Sequence, residues 1–372
     1  MTDRTNQQRP KSASGWALPL FEVSGIPIRV HFTFFLFLAW IGLARGGMSG
    51  LLWVGFISSI FGCVLLHELG HALVAKKYGI ATHHITLYPI GGVAMLDGRP
   101  TPKQEIAIAL AGPLVNLVIA VVLAPIVFGL YGRVDFTTQL EIRGGFLSAL
   151  LVANVTLGLF NLVPAFPMDG GRVLRAVLSL GRSERSATQI AAGVGQALAI
   201  ALGFVAAASG SVILFIVAAF VFLGAGQELT AIVTRSFLEG HTVSDAMQIR
   251  FRSIASGATL DQAAQLLIEG SQHDFPVVVG EEVIGILTRN AIARGLAVEG
   301  STGFVAGNMT REFKRAEPAM PLEAAVQLFS DGDSSPVLVM SDDELVGMLT
   351  SENLSEFIML EHARAQAHKI TA

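Results

Sequence analysis

Charge is what this chain lacks most. Asp, Glu, Lys and Arg supply only 15% of its 372 residues, too few to clothe a water-soluble fold of that size. Cysteine is scarcer still. Cys63 stands alone, which excludes an internal disulfide and leaves a small buried apolar role for that residue. The net charge of -4 at pH 7 leaves no strongly basic balance to attract a nucleic acid, and none is expected as a partner. The start of the chain also lacks the early apolar run of a secretory signal. Residues 1–16 are polar, with Arg4, Arg9 and Lys11, and read as a disordered cytosolic arm. What remains is apolar: 52% of residues are hydrophobic and the mean hydropathy is +0.59. Such values belong to a polytopic membrane protein with a smaller soluble part.

Apolar runs at 30–46, 51–78, 104–131, 145–166, 188–208 and 211–233 each approach the roughly 20 residues that a bilayer requires. Basic residues sort by side. Arg4, Arg9, Lys11 and Arg29, then Lys76, Lys77, Arg99 and Lys103, then Arg172, Arg175, Arg182 and Arg185 fall on one face; Arg45, Arg133 and Arg143 fall on the other. The positive-inside rule places both termini in the cytosol, in keeping with six spans. The expected architecture is a multi-pass α-helical integral membrane protein, with residues 17–238 in the lipid bilayer.

Within the second run lies Leu65-Leu66-His67-Glu68-Leu69-Gly70-His71. Residues four apart share one side of a helix, so His67 and His71 can offer imidazoles to one metal ion with Glu68 beside them. Ionisable groups at membrane depth are costly and ask for a metal or a proton path. From Leu51, His67 lies about 24 Å along the helix, inside a core about 30 Å thick and near its cytosolic side. A carboxylate from elsewhere would complete a hydrolytic zinc site. The fourth run ends in Asn161-Leu162-Val163-Pro164-Ala165-Phe166-Pro167-Met168-Asp169-Gly170-Gly171. Two prolines unwind the helix, the topology brings this end to the level of His67, and Asp169 is the candidate third ligand. Asn161 can donate a hydrogen bond to a developing oxyanion.

Between these elements, residues 81–98 are apolar but too short and too rich in Gly and Pro to span as a helix. A hairpin-like re-entrant β segment is expected. Ile85, Thr86, Leu87, Gly91, Gly92 and Val93 would form an edge to which an unwound substrate adds as a further strand. Thr101-Pro102-Lys103-Gln104 reads as a helix start. In the helix that follows, Gly112-Pro113-Leu114-Val115-Asn116 suits close helix packing, with Asn116 seeking an interhelical partner.

The His67 to His71 motif, Gly112-Pro113 with Asn116, and Asn161 to Gly171 together resemble the site-2 protease family of intramembrane zinc metalloproteases, over residues 20 to 235. The resemblance implies one Zn2+ held by His67, His71 and Asp169, Glu68 as general base and Asn161 as oxyanion stabiliser. It also implies a membrane-protein substrate already trimmed by another protease.

Beyond Glu239 the composition turns polar and repeats itself at an offset of 62 residues: Val243 to Met247 answers Val305 to Met309, and Gly285-Ile286-Leu287-Thr288 answers Gly347-Met348-Leu349-Thr350. Two alternating helix and strand units that share a buried face are expected. They resemble a tandem pair of CBS domains, α/β modules at 239–299 and 300–363 followed by a tail at 364–372. That resemblance implies an adenosine nucleotide contacted by Thr288 and Thr350, or a homodimer formed through the pair. Ala291 and Asn353 stand where nucleotide-binding members commonly carry an acidic residue. Two other functions compete with proteolysis. A CBS-gated metal-ion transporter or channel would also place charge in the membrane, yet no repeated half with matching broken helices is present. An inactive membrane scaffold would need a lost ligand or base, and none is missing.

Overall fold

The computed structural model describes residues 16–132, 142–329 and 335–371; the N-terminal arm expected at 1–16 lies almost wholly outside them. The chain divides between Ile232 and Val233 into two compact units, inside a helix and a few residues before the compositional boundary.

The first unit opens with strands that the hydropathy pattern did not anticipate. β1 (Ala17–Val23) and β2 (Ile26–His31) pair antiparallel around Ser24 and Gly25, both with positive φ, the two-residue turn that suits strand twist. Ile26, Ile28 and Val30 are buried in alternation, the period of a strand with one covered face. The run expected to span from residue 30 therefore starts later, as α1 (Phe32–Arg45). Then come α2 (Gly47–Lys77), β3 (Ala81–Tyr88), β4 (Gly91–Asp97), α3 (Pro102–Tyr131), α4 (Ile142–Asn161), α5 (Asp169–Ser179), α6 (Glu184–Ser209) and α7 (Val212–Leu238). α3 starts where the sequence predicts, with the Gln104 side chain accepting from the Thr101 N–H at 2.8 Å.

Each of the six apolar runs contains a helix. α2, α3, α6 and α7 are long and apolar enough to cross a membrane, whereas α1 and the Gly145–Asn161 part of α4 are shorter. The hairpin expected at 81–98 forms, but as half of a four-stranded sheet ordered β1-β2-β3-β4. β2 and β3 run parallel, with Ile28 opposite Ile85 and Val30 opposite Leu87. One face packs Ile26, Ile28 and Ile85 on Leu69 and Ala72 of α2, the turns that carry the histidines. Ile28 and Ile85 are fully buried, each worth about 1.5–3 kcal/mol. The sheet is thereby clamped to the motif.

The second unit shows the repeat directly. α8 (Val243–Ala246), β5 (Ile254–Ala255), α9 (Leu260–Glu269), β6 (Asp274–Val279), β7 (Glu282–Thr288) and α10 (Arg289–Glu299) are followed, in the same order, by α11 (Val305–Asn308), β8 (Lys314–Ala316), α12 (Leu322–Gln327), β9 (Val337–Ser341), β10 (Glu344–Leu349) and α13 (Ser351–Thr371). Each half builds a three-stranded sheet whose first pair is parallel and second antiparallel. Val283 and Ile286 of one half pack on Leu338 and Met348 of the other, the shared face that neither half could cover alone. α13 continues to Thr371, through the segment expected to be a tail from 364.

Candidate metal centre

His67 and His71 project from one side of α2 toward the start of α5. Their Nε2 atoms lie 3.1 Å apart, and Asp169 Oδ2 lies 3.1 Å from His67 Nε2 and 3.2 Å from His71 Nε2. All three residues are buried, and their ligand atoms fall within 4.8 Å of one another.

The other ring nitrogens explain the arrangement. His67 Nδ1 sits 2.5 Å from Asn116 Oδ1 and His71 Nδ1 sits 2.7 Å from the Ile108 carbonyl. An Nδ1–H donates to each acceptor, so in the neutral imidazoles both Nε2 atoms carry lone pairs. Two lone pairs and a carboxylate oxygen converging in a buried space repel one another unless a cation joins them. Two imidazoles and one carboxylate form the donor set of a hydrolytic zinc site, with a fourth position left for water.

The backbone of α3 forms one wall. A β-carbon built on Gly112 would lie 2.2 Å from His71 Nε2 and 2.6 Å from His67 Nε2, so only glycine fits beside the donors. Pro113 cannot close a helical bond to Ala109, which loosens the turn whose Ile108 carbonyl receives the His71 proton. Asn116 has the interhelical partners that its place in α3 calls for: its Oδ1 orients His67 of α2, and its Nδ2 donates to Asn154 Oδ1 of α4 at 3.0 Å. Asn154 Nδ2 in turn donates to Cys63 Sγ at 3.3 Å. Cys63 is buried and takes that hydrogen bond.

Asp169 is the first residue of α5, just after the loop in which Ala165 and Phe166 are buried. One and a half turns on, Arg175 pairs with Glu105 of α3 and, at 2.8 Å, with Glu228 of α7, and its guanidinium covers the Phe166 ring. This partly buried network fixes α5 against two other helices, and with it Asp169. Composition gave no sign of it, because the three charges are 53 to 123 residues apart in sequence and each looks like an ordinary interfacial residue. Asn161 is the last residue of α4, half-buried.

Glu68 stands beside the cluster under β4, where a β-carbon on Gly92 would lie 2.6 Å from Glu68 Cγ. The expected substrate edge needs correcting on its first half. Ile85, Thr86 and Leu87 are buried on β3, which is paired on both sides and has no free edge to offer. Gly91, Gly92 and Val93 are on β4, the terminal strand, and Val93 is exposed. In the second unit, Thr288 caps α10 by accepting from the Ala291 N–H at 3.2 Å. The Thr350 hydroxyl accepts from the Asn353 N–H at 3.1 Å and donates to Asn353 Oδ1 at 2.8 Å. Both hydroxyls are committed to helix starts.

The sequence profile of Peptidase family M50 matches residues 55–143 and 136–202, and that of the CBS domain matches 243–298 and 305–360. Zinc metalloprotease MJ0392 of Methanocaldococcus jannaschii is 37% identical over 73% of this chain and 78% of its own. Rip3 of Mycobacterium tuberculosis is 28% identical over 92% of this chain and 93% of its own. The solved structure of a site-2 protease from Methanocaldococcus jannaschii shares 42% identity over 57% of this chain and 95% of its own, with a TM-score of 0.44. With zinc-type donors converging in a membrane-type helical unit and relatives of this length and identity, the chain belongs to the site-2 protease family, as an integral-membrane zinc metalloendopeptidase with two CBS domains.

Proposed function

We propose that this enzyme cuts a membrane-spanning or membrane-associated protein, already trimmed by another protease, close to the cytosolic side of a bilayer crossed by six helices. Both termini lie in the cytosol. His67 Nε2, His71 Nε2 and Asp169 Oδ2 hold one Zn2+ per chain. Zinc bound there supplies Lewis acidity, lowering the pKa of a water molecule and polarising the scissile carbonyl. Glu68 accepts the proton of that water and delivers it to the leaving amine. Asn161 donates to the oxygen on which negative charge develops. Peptide cleavage requires extended backbone, and the free edge of β4 at Gly91 to Val93 receives the unwound substrate as an added strand beside Glu68. The CBS pair regulates the protease, through an adenosine nucleotide or by pairing with a second copy of the chain. The observation that carries this reading is the convergence of three ligand atoms, two of them imidazole nitrogens whose rings are oriented by Asn116 and the Ile108 carbonyl.

The test compares wild-type and Glu68→Gln enzyme in cells, following full-length single-span proteins. The variant should retain its zinc by elemental analysis, lose cleavage by about 10³-fold, and leave one such protein uncut. Undiminished proteolysis by Glu68→Gln refutes the assignment. Zinc flux across vesicles, instead of one stationary ion per chain, would favour a transporter.

A further inference from the structure

We propose that Asn154 is a positioning residue for the metal centre: acting through Asn116, it decides which nitrogen of His67 keeps the lone pair that a metal needs. This inference rests on the reading of His67, His71 and Asp169 as zinc ligands and names what holds one of them in its ligating form.

The two histidines are held by different kinds of group. His71 Nδ1 faces the Ile108 carbonyl at 2.7 Å, and a backbone carbonyl can only accept, so the proton stays on Nδ1 and Nε2 is left to ligate. His67 Nδ1 instead faces the Asn116 side chain at 2.5 Å. A carboxamide has an accepting end and a donating end of nearly the same shape. Turned over, Asn116 would offer Nδ2–H to His67 Nδ1, send the ring proton to Nε2 and block that nitrogen as a ligand. The Asn116 amide therefore needs a partner that distinguishes its two ends.

Asn154 is that partner. Its Nδ2 donates to the Leu150 carbonyl at 2.9 Å, one turn back in α4, and to Cys63 Sγ at 3.3 Å. Exchanging its two ends would set Oδ1 against the Leu150 oxygen, two acceptors with no proton between them. Asn154 Oδ1 is thereby aimed at Asn116, whose Nδ2 donates to it at 3.0 Å, and Asn116 Oδ1 is left for His67. The polarity of one carbonyl in α4 thus passes through two amides to the metal-facing nitrogen of α2. Asn116 is 0% exposed and Asn154 2%, so an amide that turned over would find no solvent to pair it. Packing alone needs volume and no direction. Here three successive hydrogen bonds all run one way.

The experiment titrates zinc against a competing chelator in full-length enzyme, comparing wild type with Asn154→Leu, Asn154→Asp, Asn116→Ala and the double variant Asn116→Ala/Asn154→Leu. Asn154→Leu keeps the volume and removes the polarity. It should bind zinc about tenfold more weakly while still reaching one ion per chain at saturation, whereas a misfolded variant loses stoichiometry. Asn154→Asp still presents an accepting oxygen to Asn116 Nδ2 in either protonation state, and should stay within about threefold of wild type. A residue that serves packing alone gives the opposite order, because leucine is then the milder change and a buried carboxyl the harsher. In the double variant the loss should equal that of Asn116→Ala, since Asn154 acts only through Asn116; independent roles would multiply to about a hundredfold. Wild-type enzyme that binds no zinc overturns the ligand assignment and this inference with it. Wild-type enzyme that binds one zinc per chain overturns the role of Asn154 alone if Asn154→Leu binds as tightly, if Asn154→Asp is the weaker binder of the two, or if the losses multiply.

Discussion

The two units of this chain are built inside out relative to one another. In the CBS unit the fully buried side chains are apolar, among them Phe275, Leu287, Val337 and Leu349. In the membrane unit, Leu43, Phe204 and Ile213 are mostly exposed, while His67, His71, Asn116, Asn154 and Asp169 are buried. Every buried polar or charged residue among the described residues belongs to the membrane unit. Water drives the apolar groups of the CBS unit inward. Lipid is as apolar as leucine and exerts no such pull, so the membrane unit is held by close packing and by polar groups that must find partners. The same property makes its interior able to hold a charged ion. One unit stores stability in its core and the other stores chemistry there.

The strongest test of this contrast is Gly112→Ala, which adds a single methyl to an apolar helix. In a water-soluble helix that change is mildly stabilising; here the methyl would collide with both Nε2 atoms. Zinc should be lost and cleavage abolished, as elemental analysis and a peptide assay would report, while hydrogen exchange in β6 and β9 stays unaltered. Next comes Leu349→Ala in the CBS unit. Removing a fully buried leucine should destabilise that unit by about 2–5 kcal/mol, read as faster exchange of the β9 and β10 amides, with bound zinc unchanged. Loss of zinc in this variant would break the separation between the units.

Asn116→Ala should lower zinc affinity about tenfold, because it frees the His67 ring and tautomer, and a competition titration with a chelator measures it. The smallest effect concerns Asp274. Burial, reinforced by nearby Glu352, raises its carboxyl above the ordinary range, even though the Arg289 N–H donates to it at 3.2 Å. Below the unfolded value of 3.8 the group is neutral in both states and contributes nothing. As pH rises from that value to the higher folded one, the unfolded chain ionises first and a penalty on folding builds up; above the folded value it is complete and persists at neutral pH. Asp274→Asn should therefore increase amide protection in β6 at pH 7, with the gain vanishing in acid.

What the sequence determined by itself was whatever depends on neighbours along the chain. Helical periodicity places His67 and His71 on one side four residues apart, hydropathy marks six apolar runs, the two prolines after Asn161 end a helix before Asp169, and the recurrence of Val243 to Met247 at Val305 to Met309 exposes the CBS repeat. β1 and β2 were legible in principle from the alternation of Ile26, Ile28 and Val30 behind Ser24-Gly25, yet a long apolar run beginning at residue 30 masks that pattern. Only tertiary structure decided the rest. It joined Asn116 to His67 across 49 residues, set the α-carbon of Gly112 against the donor nitrogens, tied Arg175 to Glu105 and Glu228, and placed β3 inside the sheet so that, of the two strands of that hairpin, only β4 lies at an edge. The physical reason is common to all four. A hydrogen bond, a close backbone approach or a strand's place in a sheet depends on distance in space, and a one-dimensional pattern fixes that distance only within a single helix or strand.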